Sequence, residues 1–188
     1  LYDQEGERLQ TIRYARMPEC KKVTLRTQLQ AELQAILASC PTLFRVHLAD
    51  GAEGNWTLLA ALAQALGLSR ADYLEIVDFY HACDHLKAGC DAIWGESTPR
   101  GQAEFIRLKT FLKEDDQGAE RIIRVFKYQS TQLNGNRHQR LQAELTYFRN
   151  QRPRMHYAEY LRRNLPIASG VMEAACKTLV TQRLKRSG

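Results

Sequence analysis

The feature that most constrains the fold is a short apolar run, Leu43 to Leu48, which is followed by Asp50 and Gly51. The run is rich in β-forming residues and Cys40-Pro41 ends whatever precedes it, so it predicts a buried strand. Asp50 would then stand where the strand ends, and Gly51 would let the backbone turn away. An acid in that position is a common place for chemistry in open α/β sheets, but Asp-Gly is also an ordinary turn signal.

The pattern around this strand predicts an α/β sheet followed by a block of helices. The sheet region contains a β-hairpin, two helices and a second strand, expected over residues 1–16, 23–39, 57–66 and 73–78. Strands that are separated by a helix are typically parallel. No strand pattern follows between 81 and 161; helical patterns run over 81–93, 101–113, 119–131, 138–151 and 155–163, and a closing helix over 171–185.

The size and charge of the chain limit its class. Its 188 residues suffice for one domain, or one domain with an insertion, and no apolar run approaches the roughly 20 residues that a membrane helix needs. The net charge is +6 and the basic residues are concentrated in the last third, which suggests a polyanionic partner such as nucleic acid or else a basic solvated surface. Five scattered cysteines without a CxxC fit reduced thiols better than disulfides or a zinc cluster.

The closing helix carries the second candidate acid. Ser169 can cap this helix, and Glu173 lies in its first turn, where the helix dipole favours an anion. Such a glutamate is most often structural and paired with a lysine one turn on, here Lys177. The same segment suits holding a metal ion near a phosphate, with neighbouring cations on other phosphates. Those cations are Lys177, Arg183, Lys185 and Arg186.

Asp50 and Glu173 together predict a magnesium site. Carboxylates that converge on Mg²⁺ are the recurring solution for phosphoryl transfer on nucleic acids, and Mg²⁺ needs only a few of them. Asp78 and His81 are interpreted as a structural or outer-shell pair that orients the start of a helix beside Asp50. Zinc at His81 and His85 is the weaker alternative, since no second ligand pair accompanies them. Serine-hydrolase, Walker and dinucleotide-binding motifs do not occur.

These motifs resemble transposases of bacterial insertion sequences of the Kra group, which belong with the mutator-like DDE enzymes. The resemblance spans nearly the whole chain, and its most specific part is the tail. The matching segments are Tyr2 to Leu9, Ala49 to Ala52 with Asn55-Trp56, Ile76 to His81 with Asp84 to Leu86, Leu165 to Lys177, and Arg183 to Gly188.

The resemblance implies an RNase H-like fold, with a mixed sheet and an all-helical insertion before the last catalytic helix. Residues 1–94 would form the core without its first strand, 95–154 the insertion and 155–188 the closing helices of the core. Asp50 matches the second aspartate of the family's Asp-Asp-Glu set and Glu173 matches its glutamate; together they would hold two Mg²⁺ or Mn²⁺ ions. Asp78 to His81 looks like the Asp-x-x-His element of mutator-like relatives.

The resemblance also implies partners and an activity. The activity would be metal-dependent cleavage of DNA and strand transfer of the insertion sequence. The partner would be DNA, as element ends and as target, on which the protein would form a homo-oligomer. The location would be cytoplasmic and nucleoid-associated, without membrane contact. The family's first aspartate has no counterpart here, because Asp3 lies at the expected hairpin turn. The chain is therefore expected to be an N-terminally truncated fragment without activity of its own. An RNase H-superfamily nuclease such as a resolvase, and an inactive DNA-binding fragment of a decayed element, stay open as alternatives.

Overall fold

The structure, a computed structural model, describes residues 22–169. These residues are mostly helical and contain one small sheet of two parallel strands. In chain order the helices and strands are α1 (Val23–Ser39), β1 (Arg45–Ala49), α2 (Glu53–Ala65), β2 (Tyr73–Val77), α3 (Phe79–Trp94), α4 (Pro99–Glu114), α5 (Gly118–Ser130), α6 (Gly135–Gln151) and α7 (Tyr157–Arg162). The mixed α/β class is as predicted, whereas the RNase H-like fold stays a prediction. The expected hairpin at 1–16 and the closing helix at 171–185 lie outside the described residues.

The described residues divide into two compact units, 22–75 and 76–168. In the first unit α1 has the predicted bounds, but none of its residues is buried, so its apolar stripe is only half covered. The strand predicted in the run Leu43 to Leu48 is present as β1, but the prediction that it is buried was wrong. Every residue of β1 is only half-buried and Phe44, just before it, is exposed. Side chains alternate along a strand, and the face of β1 that carries Arg45 and His47 is polar.

The second helix begins at Glu53, four residues earlier than its pattern predicted. The cause is the turn at Gly51, whose φ of 91° is open mainly to glycine, together with the Asp50 carboxylate that accepts from the Ala52 backbone N–H. Trp56, expected to lead into the helix, lies inside it and is buried. That position agrees with its interpretation as a core aromatic.

The second unit, Ile76–Ala168, is built from α3 to α7. α3 packs against α4 and α6, and α5 packs against the same two helices, so four helices alternate around one core. The absence of further strands from 81 to 161 is confirmed, and each predicted helix in this block is present. The side chains that fill the core are fully buried and include Leu86, Cys90, Leu108, Leu112, Ile122, Phe126, Leu141, Leu145 and Phe148.

Local sequence explains why these helices begin and end where they do. Asp78 caps α3 through its side chain, and Thr98 accepts from the Gly101 N–H to cap α4, with Pro99 in the first helical position. α3 belongs to the compact helical unit, which begins at Ile76. The division expected at residues 95 and 155, which concerned an RNase H-like core and its insertion, stays a prediction.

Candidate functional site

Asp50 lies directly after β1, at the strand end where the sequence placed it. Its Oδ1 accepts two hydrogen bonds, from the Ala52 backbone N–H at 2.9 Å and from the Asn55 side-chain amide at 2.8 Å. These bonds fix the carboxylate against the first turn of α2. Asp50 therefore has a defined orientation.

A lysine is connected to Asp50 through Asn55. Lys22 donates from Nζ to the Asn55 Oδ1 over 2.8 Å, so one amide joins a cation to a carboxylate. Sequence reasoning noted Asn55 only as part of the resemblance and missed Lys22 altogether. The signal for Asn55 was its place in the first turn after an Asp-Gly turn, where a short amide can reach back. Lys22 is far from both in sequence, and nothing in the pattern pointed to it.

A second polar group in the same unit surrounds His47. Its ring stacks on Tyr73 with 4.2 Å between centroids, and burial lowers the pKa of His47 below its ordinary value, an effect that nearby Glu75 opposes. Glu75 is buried, and its carboxylate forms an ion pair with the Arg70 guanidinium, with 3.3 Å between Arg70 Nη2 and Glu75 Oε2. Sequence reasoning missed this cluster. The signal was the alternation of Arg45, His47 on one strand and Tyr73, Glu75 on the other, which places polar side chains on one face of each strand.

Asp78 follows β2 and is almost completely buried. Its Oδ1 accepts from the backbone N–H groups of Tyr80 at 2.9 Å and His81 at 3.2 Å, which satisfies two donors at the start of α3. The predicted Asp78–His81 pair is therefore in contact, and the contact runs through the His81 backbone. The predicted place of this helix start beside Asp50 stays a prediction.

The imidazoles of His81 and His85 lie edge to face, with centroids 5.1 Å apart. His85 Nδ1 lies 2.6 Å from a Glu144 oxygen, and its ring stacks on Tyr147 at 3.5 Å. Both partners come from α6, which sequence reasoning did not connect to this motif. Among residues 22–169 no three His, Cys, Asp or Glu side chains are grouped so as to hold a metal.

The cysteines that the structure describes are all free thiols. Cys40 is exposed, whereas Cys83 and Cys90 are buried on α3. Burial raises the pKa of Cys83 and of Cys90 to about 12, so neither forms a thiolate nucleophile near neutral pH. The expectation of reduced thiols holds for these three; Cys20 and Cys176 lie outside the described residues.

The segment that leads toward Glu173 runs beside the end of β2. The Phe79 backbone N–H donates to the Ile167 carbonyl over 2.8 Å, and the buried Tyr157 hydroxyl donates to the Val77 carbonyl over 2.9 Å. Burial raises the pKa of Tyr157 well above its ordinary value, so it stays a neutral donor. These two bonds hold the residues on both sides of Asp78.

The remaining predicted site residues, Glu173, Lys177, Arg183, Lys185 and Arg186, lie outside the described residues. Asp50 is thus the described member of the predicted metal site. Its carboxylate is the ligand type that Mg²⁺ and Mn²⁺ prefer, and its orientation is fixed by Asn55. The donor chemistry therefore fits such an ion at Asp50, while the two-ion site stays a prediction.

Comparison with known proteins identifies no relative: no family model matches the chain, and neither a curated protein nor a solved structure matches it. Within residues 22–169, none of the helices has the length and apolar character to cross a bilayer.

Proposed function

We propose that the chain is the catalytic domain of a DDE transposase, which cuts the ends of an insertion sequence and joins them to target DNA. The observation that carries the proposal is the 2.8 Å bond from Phe79 N–H to the Ile167 carbonyl. The chain leaves β2 at Asp78, passes through a helical block and returns beside that strand end just before the segment with Glu173. A helical insertion between the sheet and a glutamate-bearing helix would have this connection.

The proposed roles follow from the chemistry of each side chain. Asp50 and Glu173 would hold the divalent ions, and Asn55 would fix the Asp50 carboxylate through its 2.8 Å bond. When bound, such ions supply activation of the attacking oxygen and neutralise charge on the leaving one. Asp78 would keep the start of α3 in place, with His81 beside it. The phosphates would be gripped by the tail cations, Lys177, Arg183, Lys185 and Arg186.

The reaction would occur in two steps on DNA. Hydrolysis at the element's ends would free a 3′-OH, and that hydroxyl would then attack a target phosphodiester in line with its leaving oxygen. The two ends would be brought together by a homo-oligomer on the DNA. Mg²⁺ or Mn²⁺ is the implied cofactor.

The test uses the full-length protein that contains this chain. Asp50→Asn and Glu173→Gln should each abolish cleavage of labelled element ends, while binding of those ends survives. The matched control is Glu53→Gln, which removes an exposed carboxylate three residues after Asp50 and should leave cleavage near the wild-type rate. Full cleavage by either site variant would overturn the assignment.

Joining must be measured separately from cutting. Precleaved ends with a free 3′-OH should be transferred to a plasmid target by the wild-type protein and not by Asp50→Asn. A protein that cuts but never joins precleaved ends would instead be a nuclease of the RNase H superfamily. A full-length protein that binds ends but neither cuts nor joins them would be the inactive DNA-binding form.

A further inference from the structure

The helical unit contains a long stretch without acidic residues. Between 121 and 143 the sequence has neither aspartate nor glutamate, although acids recur throughout the preceding part of the unit, 76–120. The stretch covers most of α5, the turn after it and the first half of α6. We call residues 124–140 the α5–α6 corner. Exposed helix faces of soluble proteins usually mix both charge signs, so a long stretch of chain with cations and no acids suggests a negatively charged partner.

The exposed face of α5 supplies the cations of this corner. Ile122 and Phe126 point into the core, whereas Arg124, Lys127 and Tyr128 are exposed, Tyr128 to 67%. Spacings of three and four residues bring these three side chains together on the helix surface. Arg124 and Lys127 form no ion pair within residues 22–169, so their charges are directed to solvent.

The two arginines of the corner on α6 differ in whether they are free to contact a ligand. Arg137 donates to the Ala92 carbonyl at 2.8 Å and to the Ile93 carbonyl at 2.5 Å, which caps the end of α3 and makes it structural. Arg140 contacts Glu96 at 3.3 Å, but both side chains are about half exposed or more, so water screens this pair and it can open.

Neutral donors complete the corner. Exposed side-chain amides line the connection and the first turns of α6; they are Gln132, Asn134, Asn136 and Gln139. Amide and hydroxyl donors are the usual companions of Arg and Lys in contacts to the sugar–phosphate backbone. Tyr128 is the one exposed aromatic ring of the corner, whereas single-stranded binding depends on several stacking platforms.

We propose that the α5–α6 corner binds the phosphate backbone of duplex DNA, with Arg124, Lys127 and Arg140 as its charged contacts. The choice of DNA rests on the function proposed above; the surface itself rests on charge, exposure and the missing acids. This surface shares no residue with the predicted acid site and would hold flanking or target DNA without taking part in cleavage.

The experiment measures binding of the 188-residue chain to a fluorescein-labelled duplex by anisotropy, in EDTA and over a range of salt concentrations. Arg124→Gln combined with Lys127→Gln should weaken binding several-fold at low salt. It should also reduce the slope of log affinity against log salt by about 2, since each phosphate contact contributes about 0.9. The matched control, Arg26→Gln combined with Lys113→Gln, removes two exposed cations elsewhere and should change both quantities little.

Three results would overturn the proposal. These are unchanged binding by the α5 double variant, an equal loss in the control, and tighter binding of RNA than of duplex DNA. Far-ultraviolet circular dichroism spectra and melting curves of both double variants should match those of the wild type, because the substituted side chains are exposed. The binding assay is carried out without divalent metal and does not depend on cleavage. The prediction for the α5–α6 corner can therefore fail while the Asp50 prediction holds, and the Asp50 prediction can fail while this one holds.

Discussion

The hydroxyl of Tyr157 donates to the backbone carbonyl of Val77 across 2.9 Å, between α7 and the last residue of β2. Both residues are completely buried, and the Tyr157 ring packs edge to face against Phe79, with centroids 5.2 Å apart. A side chain eighty residues later in the chain therefore secures the strand end from which Asp78 follows. The contribution of this hydrogen bond to the stability of the helical unit can be measured.

Tyr157→Phe should lower the free energy of unfolding by about 1–3 kcal/mol, because it leaves the buried Val77 carbonyl without this donor while keeping the ring. Urea denaturation followed by circular dichroism measures the change. Tyr128→Phe is the control, since Tyr128 is 67% exposed and its hydroxyl is hydrated in both states. Equal stability of Tyr157→Phe and wild type would show that another donor, such as water, replaces the hydroxyl.

Gly89→Ala should destabilise the helical unit by about 1–3 kcal/mol through overpacking. Gly89 lies in α3, and a Cβ there would overlap the ring of Phe126, which is fully buried on α5 and cannot move aside. Gly54→Ala in α2 provides the opposite case. Apart from the adjoining backbone of α2, no atom of residues 22–169 lies within 4 Å of the added methyl there, so helix propensity should stabilise the chain by up to about 1 kcal/mol. Thermal melting of both variants tests the difference.

The positions of the helices were predictable because the apolar residues of a helix repeat along the face that it buries. Leu108 and Leu112 lie one turn apart and are both buried in the core of the helical unit, so the apolar pattern of α4 was enough to predict a helix there. Helix starts were predicted less well. The Asp78 side chain caps α3 before its apolar pattern begins, and the Asp50 carboxylate holds the turn that precedes α2.

Contacts between distant elements were not predictable from pattern alone. Glu144 meets His85 because α3 and α6 pack together, and no spacing within either helix encodes that pairing. The apolar run at Leu43 predicted the strand but overestimated its burial for a related reason. It has the composition of an interior strand, but β1 pairs with β2 in a sheet of two strands and its side chains stay half-buried.

Cys83 and Cys90 should resist alkylation in the folded protein. Their pKa values are raised from 9.0 to about 12, so at pH 8 each holds on the order of a thousandfold less thiolate than an ordinary cysteine. Iodoacetamide treatment followed by peptide mapping should label the exposed Cys40 first. All three should label at similar rates in urea. Rapid labelling of Cys90 without denaturant would show that α3 opens locally.

His47 should make the first unit less stable in acid. Burial lowers the pKa of His47 in the folded state, so the unfolded chain binds its proton more readily. This contribution to stability is complete above the unfolded pKa, near 6.5, and is lost as the pH falls toward the folded value. The His47 C2–H resonance should therefore titrate below pH 6.5 in NMR spectra. His47→Gln should lose less stability than wild type between pH 7.5 and 5.5, and an equal loss would contradict this assignment.

Asn55→Ala tests whether the amide that orients Asp50 matters for catalysis. The substitution removes the 2.8 Å donor to Asp50 and the 2.8 Å acceptor of Lys22, and leaves the carboxylate itself in place. If the proposed function holds, cleavage by the full-length protein should fall by roughly 10–100-fold, the usual effect of losing an outer-shell partner, and half-maximal activity should require more Mg²⁺. Lys22→Met should have a smaller effect in the same direction. A purely structural amide would lower stability without moving the Mg²⁺ requirement, so that requirement is the quantity to measure.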